Sequence, residues 1–203
     1  MSSAVPPVVT LFEAYGSGAE EVGPRVAEAL GVAFHAQAFS SEQLESPQQH
    51  DDGILSRVFA AMGGSYAALD GPAVAMAQRD DHELILRNTR WVTEAARPGG
   101  VIVGRNGALI LAAWPGALHV RLDAPVAARV ERAARTAGIT PERAARRQRR
   151  EDGIRADMSI QLYGWDPREP TRYDLVLNTG TLHPDACADI IVHASRVKAA
   201  GSP

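Results

Sequence analysis

Apolar residues along this chain fall into two kinds of run. Val8-Val9-Thr10-Leu11-Phe12, Val101-Ile102-Val103-Gly104, Ala117-Leu118-His119-Val120-Arg121-Leu122 and Asp174-Leu175-Val176-Leu177-Asn178 are short and rich in β-branched residues, and each ends at a polar or turn-forming position, which predicts strands. Between them the apolar positions recur at helical spacing. Val22, Val26, Ala27, Ala29 and Leu30 mark one face of a helix that Gly31 is placed to cap. Ile54, Leu55, Val58, Phe59 and Met62 mark a second, which stops at Gly63-Gly64. Further helices are predicted at about 81–96, ending before Pro98-Gly99-Gly100, and at 107–112, 125–137 and 184–198, with Pro125 and Pro184 as first-turn prolines. Residues 40–53 are polar and turn-rich, and read as an exposed loop at the edge of an insertion.

Strands alternating with helices imply a parallel sheet covered on both faces. At 203 residues and 45% apolar content, the chain suits one domain carrying an insertion. No apolar run approaches the roughly 18 residues of a membrane span, and Met1 to Pro7 lacks the features of a secretory leader, so the expected location is the cytoplasm. The single cysteine, Cys187, excludes an internal disulfide and lies between alanines as a buried filler would. The six histidines show no ligand-type spacing, so no protein-built metal site is expected.

Net charge is −3, but its distribution is uneven, because nearly all the positive charge is arginine. Lys198, close to the end, is the only lysine. An anion bound by this chain must therefore be gripped by arginine, backbone amides or a metal.

The first strand, Gly16-Ser17-Gly18 and the following helix form the arrangement that presents amides and a helix N-terminus to phosphate. A full phosphate loop adds an earlier glycine and then Gly-Lys-Ser/Thr. Here those places carry Glu13, Ala19 and the carboxylates Glu20 and Glu21. A glycine turn with no ligand is the competing reading of this segment alone. Downstream, Thr140 and Pro141 start a helix on which Arg143, Arg146, Arg147 and Arg150 share one face. That stripe is either a solvated surface or a clamp for phosphate. Arg105, at the end of a predicted parallel strand, is placed where open α/β sheets bind ligands, and a guanidinium there suits a phosphate; a structural ion pair is its alternative.

In chain order, Tyr15-Gly16-Ser17-Gly18, Gly23, Val101-Ile102-Val103-Gly104-Arg105-Asn106, Leu122-Asp123-Ala124, Arg129 with Arg132, Asp152-x-x-Arg155 and Tyr173-Asp174-Leu175-Val176-Leu177-Asn178-Thr179 resemble the cytidylate kinase-like family. The resemblance implies a three-layer α/β fold of the P-loop kinase type, with a parallel sheet of about five strands flanked by helices. It divides the chain into a core at 1–35 and 91–203, a helical monophosphate-binding insertion at 36–90, and an arginine-rich lid at 140–170. The activity it implies is transfer of a phosphoryl group from ATP, with Mg2+, to a nucleoside monophosphate or similar small acceptor. Gly16, Ser17, Gly18, Ala19, Glu20, Glu21 and Arg132 then belong to ATP, Arg105 and Asn106 to the acceptor, and Arg150, Asp152 and Arg155 to the lid that acts on the transferring group. Asp174 would cap or brace that lid through an arginine.

The chain also departs from the family. Asn106 stands where cytidylate kinases have aspartate, and His35-Ala36 where many members have Tyr-Asp. The arginine that commonly follows the glycine turn in this family is missing, since the chain reads Ala19-Glu20-Glu21. Three functions are compatible with these residues: a phosphotransferase whose arginines replace the loop lysine, a catalytically silent nucleotide-binding or regulatory protein, and an arginine-helix nucleic-acid binder, which a net acidic chain disfavours. The partner is thus a nucleotide or other phosphorylated small molecule, and Gly/Ala-rich helices leave room for a homo-oligomer.

Overall fold

A computed structural model describes residues 5–37 and 71–201. Five parallel strands, β1 (Val8–Glu13), β2 (Ala33–His35), β3 (Gly100–Val103), β4 (Leu118–Asp123) and β5 (Leu175–Asn178), form one sheet in the order β2-β3-β1-β4-β5. Among the described residues six α-helices accompany them: α1 (Ala19–Leu30), α2 (Gly71–Ala96), α3 (Gly107–Ile110), α4 (Val126–Ala137), α5 (Pro141–Tyr163) and α6 (Pro184–Ala200). From β1 the chain crosses past β3 to reach the β2 edge, and from β3 it crosses β1 to reach β4. The carboxyl end of the central strand β1 therefore lies where the winding changes direction, the usual ligand crevice of open α/β sheets.

The strand alternation sorts the core into two layers. Val9, Leu11, Val101, Val103, Val120 and Leu122 face α1 and α6, where they meet Val22, Val26, Cys187 and Ile191. Val8 and Ile102 point the other way, into Val92 and Ala96 of α2 and Leu111 beyond α3. Burying each such side chain contributes about 1.5–3 kcal/mol. On this second face Thr10 Oγ1 and His119 Nδ1 lie 2.8 Å apart, so this buried imidazole is hydrogen-bonded, and burial holds its pKa below the ordinary range.

Several boundaries differ from those the sequence predicts. β2 is a fifth strand in a segment to which the sequence pattern assigns no element: three residues carry too little periodicity to show one, and pairing with β3 defines it. α2 starts at Gly71 rather than near 81, consistent with the Ala/Met/Gln/Arg composition of 71–79 and a first-turn Pro72. Pro125 is the N-cap of α4 rather than its first residue, whereas Pro184 sits in the first turn of α6 as predicted. Ala29 is exposed rather than part of the apolar face of α1. The predicted loop at 40–53 and helix at 54–62 lie outside the described residues.

Candidate functional site

The turn after β1 is shaped by close packing. Gly16 (φ 78°) carries no side chain because a Cβ there would lie 2.4 Å from the Arg129 carbonyl oxygen. Ser17 is fully buried, its amide donating to the Ala14 carbonyl at 2.9 Å, and its hydroxyl has no partner among the described residues. Gly18 (φ 86°) caps α1, placing its own amide and that of Ala19 at the open end of the turn. Both amides are occupied. Glu13 Oε1 accepts from Gly18 N at 3.0 Å and from Ala19 N at 3.3 Å, so a carboxylate rests where the loop geometry invites a phosphate. Burial pushes the Glu13 carboxyl up from its ordinary value, opposed by the positive charge of Arg155 and by the two amides. Glu20 is exposed and Glu21 half-buried; the Glu21 carbonyl accepts from Arg25.

Three charged residues fix this loop against α4 and α5. Asp152 accepts from the Tyr15 amide (2.8 Å) through Oδ1 and from Arg129 Nη1 (2.8 Å) and Gln148 Nε2 (2.8 Å) through Oδ2. Arg129, 6% exposed, also donates to the Tyr15 and Ala124 carbonyls, each at 3.0 Å. Arg132 donates to the Gly16 carbonyl (2.9 Å) and to the Thr179 hydroxyl and carbonyl (3.1 and 2.5 Å), tying the loop to the end of β5. Asp152 and Arg129 are thus engaged with the fold, and Arg132 joins the two loops that flank the crevice.

The arginine stripe of α5 divides. Arg143, Arg146 and Arg150 are exposed, while Arg147 is buried beside Ala144 and Gln148. A step of about 100° per residue makes Arg147 the edge of the stripe, leaning onto the inward face. Arg155, one turn beyond Glu151, donates Nη2 to Glu151 Oε2 at 2.9 Å. With the Gln37 amide turned to satisfy both groups, its carbonyl accepts from Arg155 Nε at 2.8 Å. The remaining nitrogen, Nη1, is buried and has no partner among the described residues.

A second constellation lies at the end of β3. Arg105 and Asn106 both adopt left-handed conformations (φ 55° and 56°), which ordinary residues avoid at a cost of about 1–3 kcal/mol each. Their surroundings hold them. Asn106 Oδ1 accepts from Ser159 Oγ (2.7 Å) and Trp165 Nε1 (3.0 Å), and Asn88 Nδ2 donates to the Arg105 carbonyl (2.8 Å). The Arg105 guanidinium stacks 3.8 Å from the centre of the Trp91 ring, with its Nε buried and unpartnered among the described residues. Among the described residues Arg105 forms no ion pair.

Sequence reasoning left Glu13 outside the site and did not connect Trp91 or Gln37 to it, since nothing in the spacing of these residues links them to Arg105 and Arg155. Asp174 differs from the expected lid brace: just before β5, its carboxylate accepts from the His119 amide (2.7 Å) and Lys198 (2.6 Å), and no arginine contacts it among the described residues.

A parallel five-stranded sheet with a glycine turn at its central strand defines the α/β class of P-loop kinase-like folds. The chain belongs to the cytidylate kinase-like family, whose model matches residues 8–181. It is 28% identical over 184 residues to a cytidylate kinase of Ignicoccus hospitalis, covering 91% of this chain and 96% of that one. It is also 41% identical over 106 residues to a uronate isomerase of Corynebacterium glutamicum, but these are 52% of this chain and only 20% of that protein. Among solved structures, an uncharacterized protein from Eubacterium ventriosum superposes with a TM-score of 0.66 at 14% identity, covering 94% of this chain and 98% of that one, which is a likeness of fold.

Proposed function

We propose that this protein is a phosphotransferase that moves a phosphoryl group from ATP to a nucleoside monophosphate or similar small phosphorylated acceptor. The observation that carries this reading is the Arg155 guanidinium, held by Glu151 and Gln37 with one buried nitrogen unspent, and close enough to the loop to act on the Glu13 charge. In a chain with no loop lysine it is the cation available to the transferring group, where preorganised positive charge is most effective. Arg105 offers the acceptor's phosphate a second preset donor. Asn106 orients it through the left-handed turn, and Arg150 closes from the exposed face of α5.

ATP fits the amides of Gly18 and Ala19 once Glu13 has left them, with Gly16, Ser17, Glu20, Glu21 and Arg132 bounding that end. Among the described residues no three His, Cys, Asp or Glu side chains group as a metal site. Mg2+ in this reading arrives on the nucleotide phosphates, as it commonly does. No helix among the described residues is long and apolar enough to cross a membrane.

The test is ATP turnover across a panel of nucleoside monophosphates for the native protein and Arg155→Ala. A loss of about 10²–10³ in kcat is expected for the variant, the size of effect seen when a preorganised charge-stabilising group is removed. No product with any acceptor, or turnover untouched by the substitution, defeats the proposal. Occupation of the loop amides by Glu13 favours a second reading, a catalytically silent nucleotide-binding or regulatory protein. That reading requires nucleotides to raise the melting temperature with no turnover.

A further inference from the structure

Glu13 stands where a phosphate loop ordinarily has its first glycine, at the last position of β1. A side chain at that position is brought over the turn by the backbone itself. Its carboxylate meets both amides at the start of α1 through a single oxygen, at 3.0 and 3.3 Å. The charged groups that act on it come from two helices: Arg155 from α5, which is attractive, and Glu20 from α1, which is repulsive. The oxygen thus occupies the two amides at a helix N-terminus that an incoming phosphate oxygen would require, within the attractive field of a guanidinium.

We propose that Glu13 is a built-in competitor for phosphate: its carboxylate fills the amide cradle of Gly18 and Ala19, and a phosphate enters only by displacing it. This rests on the reading of the loop as the ATP phosphate site, but not on turnover. Displacement lets the positive field of Arg155 act on the phosphate instead of on Glu13, and it places Glu13 beside a second anion unless the side chain swings away. The loop's affinity is then reduced by the fraction of molecules in which the cradle is vacant. Two hydrogen bonds to the same carboxyl oxygen keep that fraction at about a tenth or below. The contact is a device for low resting affinity, and a partner or acceptor that draws Glu13 out would raise it.

The experiment is a titration of the full-length, 15N-labelled protein with tripolyphosphate in the absence of divalent metal, following the amide resonances of Gly18 and Ala19. Native protein, Glu13→Ala and Glu13→Gln are compared. Binding about tenfold tighter or more is expected for Glu13→Ala, with Glu13→Gln, which keeps an acceptor but no charge, in between. If Glu13→Ala does not fold, the ordering of Glu13→Gln above the native protein decides. Equal or weaker binding by the variants, binding that leaves these two amides unmoved, or no binding by any of the three overturns the proposal. Absence of phosphotransfer with every acceptor would sink the catalytic reading while leaving this result intact.

Discussion

The turns after β1 and β3 leave neighbouring strands of the sheet, and both rely on left-handed backbone, yet they are finished in opposite ways. Around the β1 turn most of the groups able to meet an anion are already matched from within: the amides by Glu13, Arg129 by Asp152, Arg132 by Gly16 and Thr179, with the Ser17 hydroxyl and Arg155 Nη1 the exceptions among the described residues. Around the β3 turn the backbone strain is carried by Asn88, Ser159 and Trp165, while among the described residues the Arg105 guanidinium is held by stacking on Trp91. One turn is prearranged and self-neutralised; the other is prearranged and left incomplete. A donor with a buried, unpartnered nitrogen gains from a ligand, and partial burial already lowers the Arg105 pKa. In the phosphotransferase proposed above, this would leave a poised cation at the acceptor end and a guarded cradle at the donor end.

The contrast can be broken most forcefully at Asp152. Replacing it by alanine strands Arg129, which is 6% exposed, and opens the tie between α5 and the Tyr15 amide. A loss of about 3–5 kcal/mol in urea unfolding is expected, the cost of leaving one partner of a buried pair uncompensated. A loss under about 1 kcal/mol would show that the β1 turn is not braced as described.

Arg105→Ala sharpens the other side. It removes the stacked guanidinium but none of the hydrogen bonds that hold the turn, so stability changes by only about 1 kcal/mol or less. The KM for a phosphorylated acceptor rises about 10- to 100-fold, the worth of a charged hydrogen bond. Equal acceptor KM values in steady-state assays of the two proteins would remove Arg105 from the site.

The smallest effect is in pH. Burial raises the Glu13 carboxyl in the folded state, so folded protein binds more protons than unfolded protein just above the ordinary glutamate range, about 4.3. The contribution of Glu13 to stability is therefore complete below that range and is lost as pH rises through the folded value. The stability difference between native protein and Glu13→Gln, followed by urea unfolding from acid to neutral pH, should move against the native protein as pH rises; a flat difference refutes it.

Much of this molecule is legible in one dimension. β1, β3, β4 and β5 are short β-branched runs, and their alternation with helical segments determines a parallel sheet and places the glycine turn at a strand end, because periodicity and turn chemistry are local. The absence of a loop lysine, the arginine bias of the positive charge and the placement of Arg105 and Arg155 in family motifs are likewise properties of the sequence alone. The pairings at the site are not. Glu13 folding back onto Gly18 spans five residues, but Arg129 reaches Tyr15 across 114 and Asp152 reaches Tyr15 across 137. Which arginine is consumed by the fold and which is left for a ligand depends on where each carboxylate and carbonyl arrives when the helices pack. Charge identity is written in the chain, whereas charge compensation is a sum over neighbours that only the tertiary structure brings within hydrogen-bond reach.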